Sequence, residues 1–254
     1  MQFPSKPISP GVALPPGSGE KQVTITPHTL TAFDDDLDQL RAMVCEMGGR
    51  VEAAVADAVA ALALADADRA HRVVTGDARV DGLAADIERH AIHLIALRSP
   101  LADDLREVLS AFKIANLIAR MGDCAKNIAH RAIILGAARP LDQVRAIAGM
   151  REAVSPMVKG ALDAFSTRDA ALAARVLEMD DIVDTYHSGI FRALVDHMAA
   201  YPDSITAASH LMFVSQKLER IGDHAAAIAS MVHFALTGRT APGDEPAPPL
   251  KGAA

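Results

Sequence analysis

The stretch from Leu218 to Ala229, LERIGDHAAAIA, decides how the rest of the chain is read. Apolar residues return through it at helical spacing, yet Asp223 sits in the helix interior, where intrinsic propensity gives it no advantage. Glu219 stands four residues earlier, so the two carboxylates share one face, about 5–6 Å apart at Cβ, where like charges repel. Such a pair asks for a cation. A related stretch, IARMGDCAKNIA, lies one hundred residues earlier, from Ile118 to Ala129. The motif is therefore an internal repeat.

Two more carboxylate pairs with four-residue spacing lie upstream, Asp77 with Asp81 and Asp180 with Asp184. Their surroundings repeat too: RVVTGDARVD from Arg72 matches RVLEMDDIVD from Arg175 at an offset of 103 residues. In an antiparallel helical hairpin, residues equidistant from the turn face each other. Asp180 and Asp223, and likewise Asp184 and Glu219, are equidistant from Tyr201–Pro202. In the first half, Asp77 and Asp123 are equidistant from Pro100, as are Asp81 and Ala119. Proline at each centre is the punctuation expected beside a helix end.

Composition sets the bounds. Half of the 254 residues are apolar, which supplies a core, but seven Phe, two Tyr and no Trp make that core mostly Ala, Leu, Ile, Val and Met. This composition suits close-packed helices. The formal charge of −7 argues against direct nucleic-acid binding, which needs a basic stripe to displace counterions. Cys45 and Cys124 form no Cys-x-x-Cys and no disulfide framework, consistent with a reducing, cytoplasmic setting. No run of about 18 uncharged apolar residues occurs, so any membrane association is peripheral.

Along the chain, residues 1–28 and 238–254 are rich in Pro and Gly and read as flexible tails. A first helix is expected from Leu30 to Asp34 onward, with Thr31 a candidate cap, running through Gly48–Gly49 to about Ala65. A second runs to about Arg98, and a third from Ser99–Pro100, with Pro100 at the first helical position, to about Leu135. The second half repeats the plan over about Leu141–Phe165, with Pro156 a kink, Asp169–Ala200 and Asp203–Leu236. No segment alternates as a strand would. The fold class is all-α: two tandem three-helix bundles, at 29–138 and 139–237, built from six long antiparallel helices related by duplication.

On this plan Asp180, Asp184, Glu219 and Asp223 converge between neighbouring helices, and a hard cation offsets their repulsion. An all-oxygen set favours Mg, Mn or Fe over thiolate-loving ions. The first half offers Asp77, Asp81 and Asp123 only, because Ala119 stands where Glu219 does, so a weaker or water-completed site is expected. Asn116 is out of phase with these residues. A solvated acidic face is the alternative reading. A metal-dependent oxidoreductase of the carboxylate-bridged type is another, although no Glu-x-x-His occurs where such a bundle needs one. His90, His93, His187, His197, His224 and Cys124 read as packing or surface residues, and Gly122 and Gly222 as a close approach of helices or room beside an ion. No Gly-x-Ser-x-Gly and no glycine-rich phosphate loop is present.

Together with the duplicated plan, several motifs give the chain a resemblance to the PhoU family. They are MGGRVE at Met47, the two Asp-x-x-x-Asp pairs, the run from Arg98 to Arg106, RMGDCAKNIA at Arg120 and ERIGDHAAAIA at Glu219. The resemblance spans about Thr31 to Leu236. It implies paired three-helix bundles that carry multinuclear metal clusters, iron or zinc among them. The second cluster maps onto Asp180, Asp184, Glu219 and Asp223, and the first onto Asp77, Asp81 and Asp123, with Ala119 breaking the family pattern. It further implies a cytoplasmic, often dimeric regulator rather than an enzyme. Such a regulator restrains the high-affinity phosphate ABC transporter through its ATPase and signals phosphate sufficiency to a sensor histidine kinase, reaching the membrane only through these partners.

Overall fold

The computed structural model describes residues 27–136 and 142–239. Residues 1–26 and 240–254, which hold nearly all of the expected tails, and Leu141, the expected start of the fourth helix, lie outside the described residues. Every described element is helical: α1 Pro27–Leu64, α2 Ala67–Arg98, α3 Asp103–Leu135, α4 Gln143–Thr167, α5 Ala170–Leu177, α6 Asp180–Ala200, a 3-10 turn Pro202–Ser204, and α7 Ile205–Thr237. α1, α2 and α3 pack on one another, as do α4, α5, α6 and α7. These are the two three-helix bundles, the middle rod of the second being divided into α5 and α6.

Duplication is visible in local chemistry. Asp66 caps α2 by accepting from the Arg69 N–H at 2.9 Å, and Asp169, 103 residues later, caps α5 by accepting from the Leu172 N–H at 2.9 Å. The windows starting at Ala111 and Leu211 bury and expose the same positions for ten residues. A buried stripe through α3, including Ile114, Ile118, Met121, Ala125 and Ile128, has its counterpart in Val214, Leu218, Ile221, Ala225 and Ile228 of α7. Each is the face of an amphipathic helix turned to the core.

The halves are packed side by side rather than strung out. α3 lies against α7, and α1 against α4. α3 and α7 run antiparallel: Gly238, just past the end of α7, lies against the Arg106 guanidinium near the start of α3, while Arg131 near the end of α3 reaches His210 Nδ1 at 3.1 Å and covers the Phe213 ring at 4.8 Å. Gly48 of α1 meets Leu162 of α4 so closely that an added Cβ would lie 2.5 Å from a Leu162 δ-carbon, whereas Gly49 beside it faces open space.

Four boundaries differ from the sequence reading. α1 begins at Pro27, so Thr31 lies within the helix rather than capping it. Ser99 ends α2 in the left-handed region at φ 47°, and Pro100 sits buried in the connection instead of opening α3. The residue before a proline is steered away from the right-handed helical region, and α3 starts instead at Asp103 and Asp104, acids suited to a first turn. The fifth rod, expected unbroken over Asp169–Ala200, is interrupted at Glu178–Met179 by three-residue hydrogen bonds, Met179 N–H to Val176 O and Ile182 N–H to Met179 O. Asp180 and Asp181 then open α6, where acidic residues meet the positive end of the helix dipole. Pro202 opens a short 3-10 turn before α7, which starts at Ile205 rather than Asp203. α4 continues through Pro156.

Candidate metal centre

The second-half site is built where α6 and α7 run antiparallel from the Tyr201–Pro202 turn. Val183 of α6 packs on Gly222 of α7, where an added Cβ would stand 3.3 Å from Val183 Cγ1. That close approach accounts for the glycine inside the motif and fixes the register of the flanking acids. Asp180 and Asp184 project from the first turns of α6, and Glu219 and Asp223 from the middle of α7. Asp184 and Asp223 are exposed, Asp180 and Glu219 half-buried.

The four carboxylates act on one another. Partial burial, then repulsion from Asp184 and Asp223, with Asp181 adding to it, pushes the Asp180 carboxyl above its ordinary range. Asp223 is raised by burial, then by Glu219 and Asp184, against a smaller lowering by Arg220. Asp180 Oδ1 is buried without a hydrogen-bond partner. A buried carboxylate oxygen normally has one, so this atom marks an incomplete coordination environment.

A histidine belongs to the same cluster. His187 Nδ1 lies 3.0 Å from Ser215 Oγ, and its Nε2 lies 3.7 Å from Glu219 Oε2. Because the Ser215 hydroxyl donates to the Met212 carbonyl at 3.1 Å, it accepts from His187 Nδ1–H. This turns Nε2 toward Glu219, the ring atom through which a neutral imidazole would serve as a ligand. The sequence carried the signal, since His187 stands three residues after Asp184 and so shares its face.

The first half is arranged differently. Asp77 is buried, and its Oδ2 accepts from Lys126 Nζ at 2.6 Å. The Lys126 ammonium is raised above its ordinary range by the bond and charge of Asp77, and further by Asp123 and Asp81. Thus Lys126 is bonded to Asp77 and feels the charges of Asp123 and Asp81. Gly122 packs near Val80 and Asp77, with an added Cβ at 3.4–3.5 Å from both. Lys126, like His187, follows a motif acid by three residues.

Among the described residues, no three His, Cys, Asp or Glu side chains stand close enough to form a ready-made ligand set. A bound ion would have to draw the four carboxylates closer together than they stand. The donor chemistry of the second half fits such an ion: oxygen ligands with an imidazole nitrogen beside Glu219 and one buried oxygen without a partner. The first half does not fit, because an ammonium already holds its buried carboxylate.

Cys124 and His224, which follow the two motif aspartates, turn into the seam between α3 and α7. Burial pushes the Cys124 thiol up, and burial together with the Arg120 and Arg220 guanidinium groups lowers His224. Neither points to the acidic clusters. No helix among the described residues is long and apolar enough to cross a membrane.

Comparison with known proteins agrees with this architecture. The sequence profile of the PhoU domain matches residues 44–132 and 147–232, one copy in each half. A "Phosphate-specific transport system accessory protein PhoU homolog" of Zymomonas mobilis is 45% identical over 215 residues, covering 85% of this chain and 91% of the relative. A protein of the same description from Caulobacter vibrioides is 44% identical over 223 residues, covering 87% and 97%. The crystal structure of PhoU from Pseudomonas aeruginosa superposes with a TM-score of 0.77 at 36% identity, over 82% of this chain and all of that one. With the duplicated bundles, the paired motifs and these likenesses in agreement, the chain belongs to the PhoU family.

Proposed function

We propose that this chain is a metal-binding negative regulator of phosphate uptake and phosphate-starvation signalling. It couples the high-affinity phosphate ABC transporter, through its ATPase, to a sensor histidine kinase. Support for the transport role comes from relatives described as accessory proteins of the phosphate-specific transport system, which match over most of their own length. Long helices with exposed large apolar side chains, such as Ile182, Tyr186 and Phe191 on α6, suit docking to protein partners or to a second copy of the chain.

The observation that carries the metal-binding part is the second-half cluster, where Asp180 Oδ1 lacks a partner beside Asp184, Asp223 and Glu219. When bound there, a metal ion would supply positive charge that ties α6 to α7, held by these four carboxylates with His187 Nε2 beside Glu219. One nitrogen among oxygens favours iron, zinc or manganese over magnesium. The residues then act as a brace that sets the shape of the α6–α7 face.

Deleting the gene and measuring phosphate-starvation gene expression in phosphate-rich medium tests the regulatory role. Derepression on deletion, reversed by the wild-type gene, is expected. Unchanged repression would overturn it.

A further inference from the structure

The duplicated fold places two acidic clusters in equivalent positions, yet the two are not chemically equivalent. At the offset of one hundred residues Ala119 replaces Glu219, and Lys126 stands where the second half has Ala226. One carboxylate has been lost and one cation gained in the same cluster. The two equivalent acids record the result: buried Asp77 has its Oδ2 bonded to Lys126 Nζ at 2.6 Å, while half-buried Asp180 has its Oδ1 enclosed without a partner.

We infer that Lys126 closes the first-half cluster as an internal cation, so that this half takes no metal ion and the chain carries its metal centre in the second half alone. The last clause rests on the metal reading proposed above; the first stands on the Lys126–Asp77 contact. An ion entering the first cluster would have to displace the ammonium from Asp77 and then sit beside it, two positive charges sharing three carboxylates. In the second half the equivalent position is Ala226, which ends at its β-carbon, and the nearby Arg220 lowers Asp223 only by its charge. Lys126 fits the task because its charge is a point at the end of a flexible stem, able to reach Asp77 while Asp81 and Asp123 remain near enough to hold it. The loss at 119 and the gain at 126 support each other, since three carboxylates need less neutralisation than four.

The test loads the full chain with Mn(II), removes free ion by desalting, and measures bound manganese by elemental analysis, with circular dichroism confirming the fold of each variant. Asp77→Asn with Asp123→Asn should retain the wild-type manganese content, whereas Asp180→Asn with Asp223→Asn should lose it. Ala119→Glu with Lys126→Ala, which restores the fourth carboxylate and removes the ammonium in the first half, should bind more manganese than wild type, and adding Asp77→Asn should cancel the gain. Loss of manganese in the first-half asparagine variant, or no gain in the rebuilt one, would overturn the inference. Wild-type protein without any manganese would overturn the second-half reading instead. In that event the amine chemistry of Lys126 alone decides the first half. Acetic anhydride labelling of Lys126, read by peptide mass spectrometry, should be slow in wild type and rise severalfold in Asp77→Asn; equal labelling would count against the ion pair.

Discussion

Asp184→Asn combined with Glu219→Gln should raise the stability of the metal-free protein and abolish its response to metal. The variant removes one member of each four-residue carboxylate pair, Asp180–Asp184 on α6 and Glu219–Asp223 on α7. A like-charge pair at this spacing costs about 0.2–0.5 kcal/mol, so relieving both gains roughly 0.4–1 kcal/mol. For a chain of this size 1 kcal/mol corresponds to about 2–4 °C, giving a rise in Tm of roughly 1–4 °C in chelator. With Mn(II) at about a hundred times its Kd, wild type should instead gain about 2.7 kcal/mol and overtake the variant. Calorimetry at neutral pH in chelator and in Mn(II) reads both effects. A variant less stable than wild type in chelator, or one that gains as much from manganese, would refute the reasoning.

The neighbouring glycines of α1 should respond in opposite directions to alanine. Gly49→Ala meets open space and should stabilise by about 0.5–1 kcal/mol through helix propensity, while Gly48→Ala drives a methyl into Leu162 and should cost about 1–3 kcal/mol by overpacking, both read by urea denaturation. In pH dependence, the raised folded-state carboxyls of Asp180 and Asp223 contribute stability that is present below the ordinary carboxylate range and lost as pH rises through their raised values. Asp180→Asn with Asp223→Asn should therefore flatten the fall of metal-free stability between mildly acidic and neutral pH, measured by thermal melts. His224 acts in the opposite sense: its lowered value gives stability present above the ordinary histidine range and lost on acidification, so His224→Gln should reduce acid sensitivity below about pH 6.5. Cys124, buried against α7 with its thiol pushed up, should react with a thiol reagent only on unfolding, and rapid labelling of the native protein would contradict its placement.

The helical class, the duplication and the pairing of α6 with α7 around Tyr201–Pro202 were legible because they rest on periodicity and on symmetric spacing about a turn. Pro100 misled at the boundary of α3: a proline after serine has the form of a cap followed by a first helical residue, but the positive φ angles at Ser99 and Ala102 carry the start of the helix three residues further. The break at Glu178–Met179 was hidden by the second repeat's likeness to the first, where α2 runs unbroken through Gly76 and Asp77. Side-by-side packing of the halves, α3 on α7, has no local signal, since it depends on contacts between residues some eighty to a hundred positions apart. Of the candidate site, the carboxylates were picked out by their four-residue spacing and their matching heights across each hairpin. Lys126 and His187 escaped because each looks ordinary alone. Only the hairpin register, which brings Lys126 to Asp77 and His187 to Glu219, gives them a role.

Anomalous diffraction from crystals grown with Mn(II) tests the central claim most directly. The account predicts anomalous density between α6 and α7, bounded by Asp180, Asp184, Glu219 and Asp223, and none beside Asp77, where Lys126 should remain in place. Density at the Asp77 cluster with Lys126 swung away, or none between α6 and α7, would contradict it.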